Sequence, residues 1–480
     1  MSDEKARTIE MGSTNVNKDG DHIDVTPAKS FFVHMLTRDI ALSDAILDLL
    51  DNCVDGILRA KLAKDDDIKP YASFWAKITI KENLFVIEDN CGGIPWEKRQ
   101  YAFKLGKAAD QPTDKDSTIG TYGIGMKRAM FKIGEHSVVY TKTTENAYKV
   151  TIEKPWLSND SWELPISQMN KDELNECGTR IVIDELLPEV SFQFIDADFI
   201  KELKKQISTL YAFILAKGFV VKVNEEDIIG RPTKLIFSRD TEIMPFIYKD
   251  CIDEVEVFLA VGFTRALPSR EEMDENDESG AYSSLDAGWT VVCNDRAVLY
   301  CNRDELTGWG EAGVPLYHTQ FIAISGIVEF RCSNSRKLPM TTTKRGIDAS
   351  SRIYLRVKNK MREGMKLFIN YTNRWKNDWE EGKKKFTQQS AFSLTELKEK
   401  VNKQEISLTL RRDGDSVFSP SLPMPAHQDP LSVRISFKAL KDDVYLVANY
   451  LYGEDDCPEA PNCNKIGEES FKYVLRKAKQ

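Results

Sequence analysis

The residues of this chain best placed for chemistry fall in three short clusters between Asp48 and Ala129. In DLLDNCVDG, Asp48, Asn52 and Asp55 recur at i, i+4 and i+7, so on a helix they share one polar stripe. In EDNCGGI, Asp89 precedes paired glycines, a composition that lets backbone come close to a ligand. In GTYGIGMKRA, Gly120, Gly123 and Gly125 stand directly before a helical run. Glycines ahead of a helix N-terminus leave backbone N–H groups free to cradle phosphate, and the helix dipole favours the anion. Lys127 puts a cation in that first turn, where the dipole disfavours it unless an anion is bound there.

The elements that must position these residues follow from periodicity. Leu42, Ile46, Leu49, Leu50, Cys53 and Ile57 recur at helical spacing and predict a helix over roughly 39–62. KITI (77–80) and LFVIED (84–89) alternate, split by Glu82-Asn83, which predicts a hairpin whose second strand runs into Asp89. A polar stretch from Leu105 to Ser117 leads to the glycines, so the strand that a dinucleotide fingerprint needs before its G-x-G is missing. Further strands are expected at HSVVYTKT, AYKVTIE and GTRIVIDEL.

At 480 residues the chain is long enough for two or three domains. Its 41% hydrophobic and 29% charged residues are ordinary for a soluble globular protein, and no apolar run approaches a membrane span. The polar N-terminus lacks the apolar core of a secretory signal. The nine cysteines include no C-x-x-C pair, so free thiols in a reducing, cytoplasmic setting are expected. A net charge of −9 supplies no general pull toward nucleic acid.

The order and spacing of the motifs resemble the GHKL superfamily of ATPases, which includes gyrase B subunits, Hsp ninety chaperones, histidine kinases and MutL proteins. The piece GTYGIGMKRAMFKIG is most similar to the microrchidia branch. The resemblance implies an ATP site of other than Walker type in a Bergerat α/β sandwich. It implies that Asp48 is the carboxylate base, that Asn52 binds Mg2+, and that Asp89 accepts from the adenine amino group, with Gly93 at the pocket floor. It implies phosphate contacts from Gly120, Gly123, Gly125 and Lys127, and places Thr179 near the adenine. Asp55, Ile94, Tyr122, Ile124 and Met126 complete the implied nucleotide contacts. Two positions depart from the family pattern: Asp48 replaces a glutamate and is one methylene shorter, and Cys91 replaces a glycine. A general base must reach its water within about 3 Å, so the shorter arm points to slow hydrolysis.

Beyond Val190, a helix is expected over 198–217 with Gly218 as its cap. FVVKVN, VEVFLAVGF, WTVVCNDRAVLY and TQFIAISGIVEF read as strands, and SREEMDENDESG as an acidic loop. This mixture resembles the S5-like transducer domain of gyrase, MutL and microrchidia ATPases. There a loop lysine reaches back to the terminal phosphate, and LPMTTTKRGID nominates Lys344, before a helix over 350–375. The aromatic and basic cluster from Tyr371 to Lys376 is read as packing of that helix end. After a Pro-rich linker, VRISFKAL and DVYLVANYLY are read as two strands and the last fifteen residues as a helix.

The expected architecture is therefore α+β, in four parts. A flexible arm (1–28) precedes the ATP-binding domain (29–190), a transducer-like domain (191–378) and a small α+β C-terminal region (379–480). The expected function is Mg2+-dependent ATP binding with slow hydrolysis that drives a conformational switch. The resemblance implies an ATP-dependent homodimer, with protein partners or DNA as what it acts on and no membrane. The alternative is an ATP-sensing scaffold that barely hydrolyses. A histidine kinase is disfavoured, because no phosphoacceptor helix precedes the domain and His34 lies too near the first motif.

Overall fold

The structure is a computed structural model describing residues 28–59, 69–104, 123–159, 161–269, 272, 287–341, 343–375, 382, 384–386, 390–412, 414–425, 435, 438–453 and 462–479. The expected arm before Ala28, the stretch Leu105–Ser117 and most of the acidic segment lie outside the described residues. Two compact units divide after Pro425. Among the described residues no helix is long and apolar enough to cross a membrane.

The first unit begins with helix Lys29–Arg38, which the sequence reading did not anticipate, and helix Leu42–Arg59. The latter matches the predicted apolar stripe, but 13 of its 18 residues are buried, so its polar stripe is interior rather than solvated. It packs on helix Gly125–Ile133 over a sheet built from β1 (Trp75–Lys81), β2 (Leu84–Asp89), β3 (Gly134–Lys142), β4 (Ala147–Ile152), β5 (Ile166–Gln168), β6 (Gly178–Leu186), β7 (Val220–Val223) and β8 (Glu226–Asp227). Their order is β5-β4-β3-β6-β2-β1-β7-β8, antiparallel except where β1 runs parallel to β7. Alternate residues such as Phe85 and Ile87 of β2, with Ile181 and Ile183 of β6, meet Leu49, Leu50 and Ile57 in one core. This is the expected α/β sandwich. It centres β2 and β6, and so brings the ends of those strands beneath the buried helix.

A second sheet orders β13-β12-β14-β11-β10-β17-β16, from β10 (Phe246–Ile252), β11 (Val255–Phe263), β12 (Gly288–Cys293), β13 (Arg296–Asn302), β14 (Ile324–Arg331), β16 (Thr409–Leu410) and β17 (Ser416–Phe418). Helix Arg352–Arg374 crosses it and buries Tyr354, Val357, Met361, Met365 and Phe368. Tyr371 and Trp375 are buried in the same core, in keeping with packing of the helix end. A short ladder joins β9 (Leu235–Phe237) to β15 (Ser390–Phe392). Residues 390–418 therefore complete sheets of the first unit.

Some elements differ from the sequence reading. TQFIAISGIVEF enters its strand only at Ile324, after a 3-10 turn at Thr319–Phe321. The predicted helix over 198–217 is interrupted at Tyr211 into Ala197–Leu210 and Ala212–Ala216, and Gly218 follows at φ 99°. DVYLVANYLY is helix, not strand: in the second unit Lys441–Tyr452 packs on Cys463–Ala478, and VRISFKAL lies largely outside the described residues. The acidic pair Asp442-Asp443 suits a helix N-terminus, and Gly453 at φ 88° ends the helix. Of the expected α+β region over 379–480, the strands β15, β16 and β17 lie in the first unit, and the elements described beyond Pro425 are helices.

WTVVCNDRAVLY is a hairpin rather than one run. Asn294 and Asp295 both take positive φ, 46° and 69°, as a two-residue primed turn requires. Its tip docks onto the first sheet's layer. The buried Asp295 carboxylate accepts from Tyr71 Oη at 3.2 Å, Lys217 Nζ at 2.7 Å and Arg331 Nη2 at 2.5 Å. Burial alone would raise this carboxyl, but Arg331 and Lys217 hold it below the ordinary range. Asp295→Ala strands these cations, which should lower stability by about 3 kcal/mol, the lower end for a broken buried pair because Lys217 and Arg331 keep some solvent. The depressed carboxyl contributes stability above its unfolded value of 3.8 that is lost as pH falls below it. Urea unfolding at pH 7 and pH 3 should therefore show the difference between wild type and variant shrinking at the lower pH.

Candidate active site

One cleft opens between helix Leu42–Arg59, the ends of β2 and β6, and the start of helix Gly125–Ile133. Asp48, Asn52 and Asp55 line it from the first helix, Asp89 and Ile94 from the end of β2 and the loop beyond, and Thr179 from β6. Gly123, Ile124, Gly125, Met126 and Lys127 form its glycine-rich wall, and Lys344 enters from the second sheet's side. Gly120 and Tyr122 lie outside the described residues.

At one end the buried carboxyl of Asp89 accepts from the backbone N–H of Cys91 at 2.8 Å and of Thr179 at 3.3 Å. Burial pushes it up to about 6 despite these donors and the nearby charge of Arg59. Ile87, Ile94 and Ile181 make the walls around it apolar. Ile94 is pinned by its N–H to Thr141 Oγ1 at 2.7 Å and by Tyr148 Oη donating to its carbonyl at 3.1 Å. Gly93 takes φ 72°, and a Cβ there would lie 2.3 Å from the carbonyl oxygen of Lys142, so it permits close passage of the loop past β3. The left-handed positions are Gly92 and Gly93; Cys91 is buried without positive φ, so the thiol side chain is accommodated there.

At the other end, Ile124 caps helix Gly125–Ile133 without a side-chain bond, which leaves the first-turn N–H groups for a ligand. Lys127 is buried, and its ammonium donates to the carbonyl oxygens of Ala102, at 2.8 Å, and Gly123. The helix start lies against Asp48: a Cβ on Gly125 would sit 3.3 Å from the carboxylate.

Between the two ends runs a row of ion pairs. Asp48 Oδ2 accepts from Arg128 Nη2 at 2.5 Å, and Asp48 Oδ1 from Lys344 Nζ at 3.2 Å. Lys344 Nζ also lies 2.7 Å from Asp51 Oδ2. Asp51 Oδ1 accepts from Arg296 Nε at 3.0 Å and from Tyr211 Oη at 2.5 Å. Burial would lower Lys344, yet Asp51 and Asp48 hold it above the ordinary lysine range; burial would raise Asp51, yet Lys344 and Arg296 hold it below the ordinary carboxylate range. Lys344 sits 296 positions from Asp48, in a tight turn at φ 56° closed by the N–H of Thr341 to the Gly346 carbonyl at 3.0 Å. Its neighbour Arg345 is no surface cation: it binds Asp44, and Gln206 Oε1 at 2.5 Å.

Asp51, Arg128, Arg296 and Tyr211 were not singled out from sequence. A signal for Asp51 was present: Asp44, Asp48, Asp51 and Asp55 repeat with helical spacing opposite an apolar stripe, more carboxylates than a nucleotide stripe requires. Arg128, Arg296 and Tyr211 carry no local signal, because only chain folding brings them to these carboxylates.

Gly178 sets how closely β6 approaches β2 at the site. A Cβ there would fall 1.8 Å from the carbonyl oxygen of Asp89, backbone against side chain with nothing free to turn aside. Gly178→Ala should therefore destabilise the fold by about 1–3 kcal/mol, the range for overpacking, and displace Asp89. Denaturant midpoints compared with the control Gly467→Ala, which has open space around its Cβ position, would check this.

Residues 40–181 match the family model described as histidine kinase-, DNA gyrase B-, and HSP90-like ATPase. A comparison with curated proteins finds no match. The matched span runs from just before the buried helix into β6, so it holds Asp48, Asn52, Asp89 and the glycine-rich helix, whereas Lys344 and Arg296 come from beyond it. Residues 40–181 are thus a GHKL-type ATPase domain, of the histidine kinase, DNA gyrase B and HSP90-like family.

Proposed function

We propose that this chain binds ATP with Mg2+ in the cleft, hydrolyses it slowly, and uses occupancy to couple the ATPase domain to the second sheet. The supporting observation is the convergence of Lys344, from outside the matched domain, on the same carboxylate that the GHKL resemblance nominates as base. In this reading residues 29–190 form the nucleotide domain and 191–378 the transducer, with β16 and β17 extending the transducer's sheet.

Asp89 takes the adenine amino group, which needs an acceptor in an apolar pocket. The first-turn N–H groups of helix Gly125–Ile133 and Lys127 take the phosphates. Mg2+ fits the donor set: the Asn52 side-chain carbonyl oxygen is the kind of ligand the ion takes, and the carboxylates of Asp48 and Asp55 line the same cleft. Bound with ATP through Asn52, the ion would neutralise phosphate charge. Asp48 orients and deprotonates the attacking water for in-line displacement, and Lys344 stabilises the terminal phosphate.

Both Asp48 oxygens are engaged by cations, Arg128 on one and Lys344 on the other. A carboxylate so held must give up a cation contact before it can engage a water, and its arm is short. Hydrolysis then waits on a terminal phosphate drawing Lys344 away. The same observation favours, as a second reading, an ATP-sensing scaffold with negligible turnover. ATP-dependent self-association follows from the family resemblance and is expected in either case.

Phosphate release by the wild type should exceed that of Asp48→Ala at least tenfold; equal rates would leave only the scaffold reading. Light scattering should show self-association with a non-hydrolysable ATP analogue but not with ADP. The Asp89 carboxyl, raised from 3.8 to about 6, should bind adenine when ionised, so ATP affinity falls as pH drops through about 6. Calorimetry on Asp89→Asn should find weaker binding at pH 7 and no such step; a step that persists would assign it elsewhere.

A further inference from the structure

Five charged groups alternate in sign through the interior: Arg128, Asp48, Lys344, Asp51 and Arg296. Arg128, Asp48 and Lys344 line the cleft, whereas Asp51 and Arg296, each 1% exposed, lie behind its lining. Asp51 is the one that joins the two sets. Its two oxygens divide the work. Oδ1 is fixed to the frame by Arg296 Nε and Tyr211 Oη, themselves 1% and 0% exposed, and Oδ2 is given to Lys344. The lysine lies closer to Asp51, 2.7 Å, than to Asp48, 3.2 Å. A group held on one oxygen by a sealed frame, with the other oxygen presented to the Lys344 ammonium, is a seat.

We propose that Asp51 is the positioning residue that seats Lys344 for the terminal phosphate, so that a buried carboxylate which touches no nucleotide sets the preference for triphosphate over diphosphate. The proposal rests on the reading that the cleft takes ATP and that Lys344 meets its last phosphate. An incoming phosphate competes with Asp48, which faces the cleft, and leaves the sealed Asp51 contact in place. The lysine then pivots on Asp51 instead of leaving the site. Because Arg296 opens β13 directly after Asp295, the seat belongs to the hairpin whose tip docks on Tyr71 and Lys217. Movement of that hairpin changes the seat, and movement of the lysine loads the hairpin.

The test is a double-mutant cycle on the full chain, with calorimetric affinities for ADP and for an ATP analogue carrying a β,γ-imido bridge. Wild type should prefer the triphosphate analogue, and Lys344→Met should abolish that preference. Asp51→Asn should abolish it to the same extent while ADP affinity stays within about threefold. Adding Asp51→Asn to Lys344→Met should change nothing beyond about twofold, since coupled residues are not additive. Tyr211→Phe, which removes one hydroxyl and no charge, covers the case in which Asp51→Asn does not fold: it should reduce the preference in wild type and leave Lys344→Met unaltered. Losses that multiply in the double variant, or that strike ADP and triphosphate alike, would overturn the seat alone. Wild type that binds neither nucleotide would overturn the ATP reading and the seat with it.

Discussion

Asp51 is a carboxylate sealed in the interior, and a buried charge persists only when paired and hydrogen-bonded. That constraint dictates which parts of the chain must meet. Helix Leu42–Arg59 supplies the carboxylate, the break at Tyr211 supplies a hydroxyl, β13 supplies Arg296 and the loop after β14 supplies Lys344. Each partner satisfies part of that carboxylate in low dielectric, so these segments dock together. The attachment of the second sheet to the ATPase domain is in this sense electrostatic at its centre. Asp295 extends the same logic to the hairpin tip.

Asp48 shares the row but not the seal. It faces the cleft, pairs with Arg128 and Lys344, and has both oxygens in use. A row of alternating charges lets a ligand exchange one contact without exposing a bare charge, because each ion keeps a neighbour. Such an arrangement suits a site that changes partners on binding an anion. It also suits restraint, since the group nominated as base has other partners until the ligand is in place.

Two glycines near the site act through close backbone passage. Gly178 permits β6 to start against the Asp89 carbonyl, and Gly93 permits the loop to pass Lys142. Both serve to deliver neighbours, Thr179 and Ile94, to the cleft wall.

What the sequence determined by itself was local. Helix Leu42–Arg59, the hairpin ending in Asp89 and the glycines before Lys127 were legible because periodicity, turn chemistry and helix-start composition act over a few residues. Lys344 was legible only through family resemblance, and DVYLVANYLY was misread because its aromatic and β-branched content outweighed the end signals of Asp442-Asp443 and Gly453. What only the tertiary structure decided was which charges are interior and with whom they pair. Arg128 meets Asp48 across 80 positions and Arg296 meets Asp51 across 245, distances over which no sequence period carries information. An aspartate on a helix face looks the same whether water or an arginine completes it, and the choice is made by the segments that fold over it.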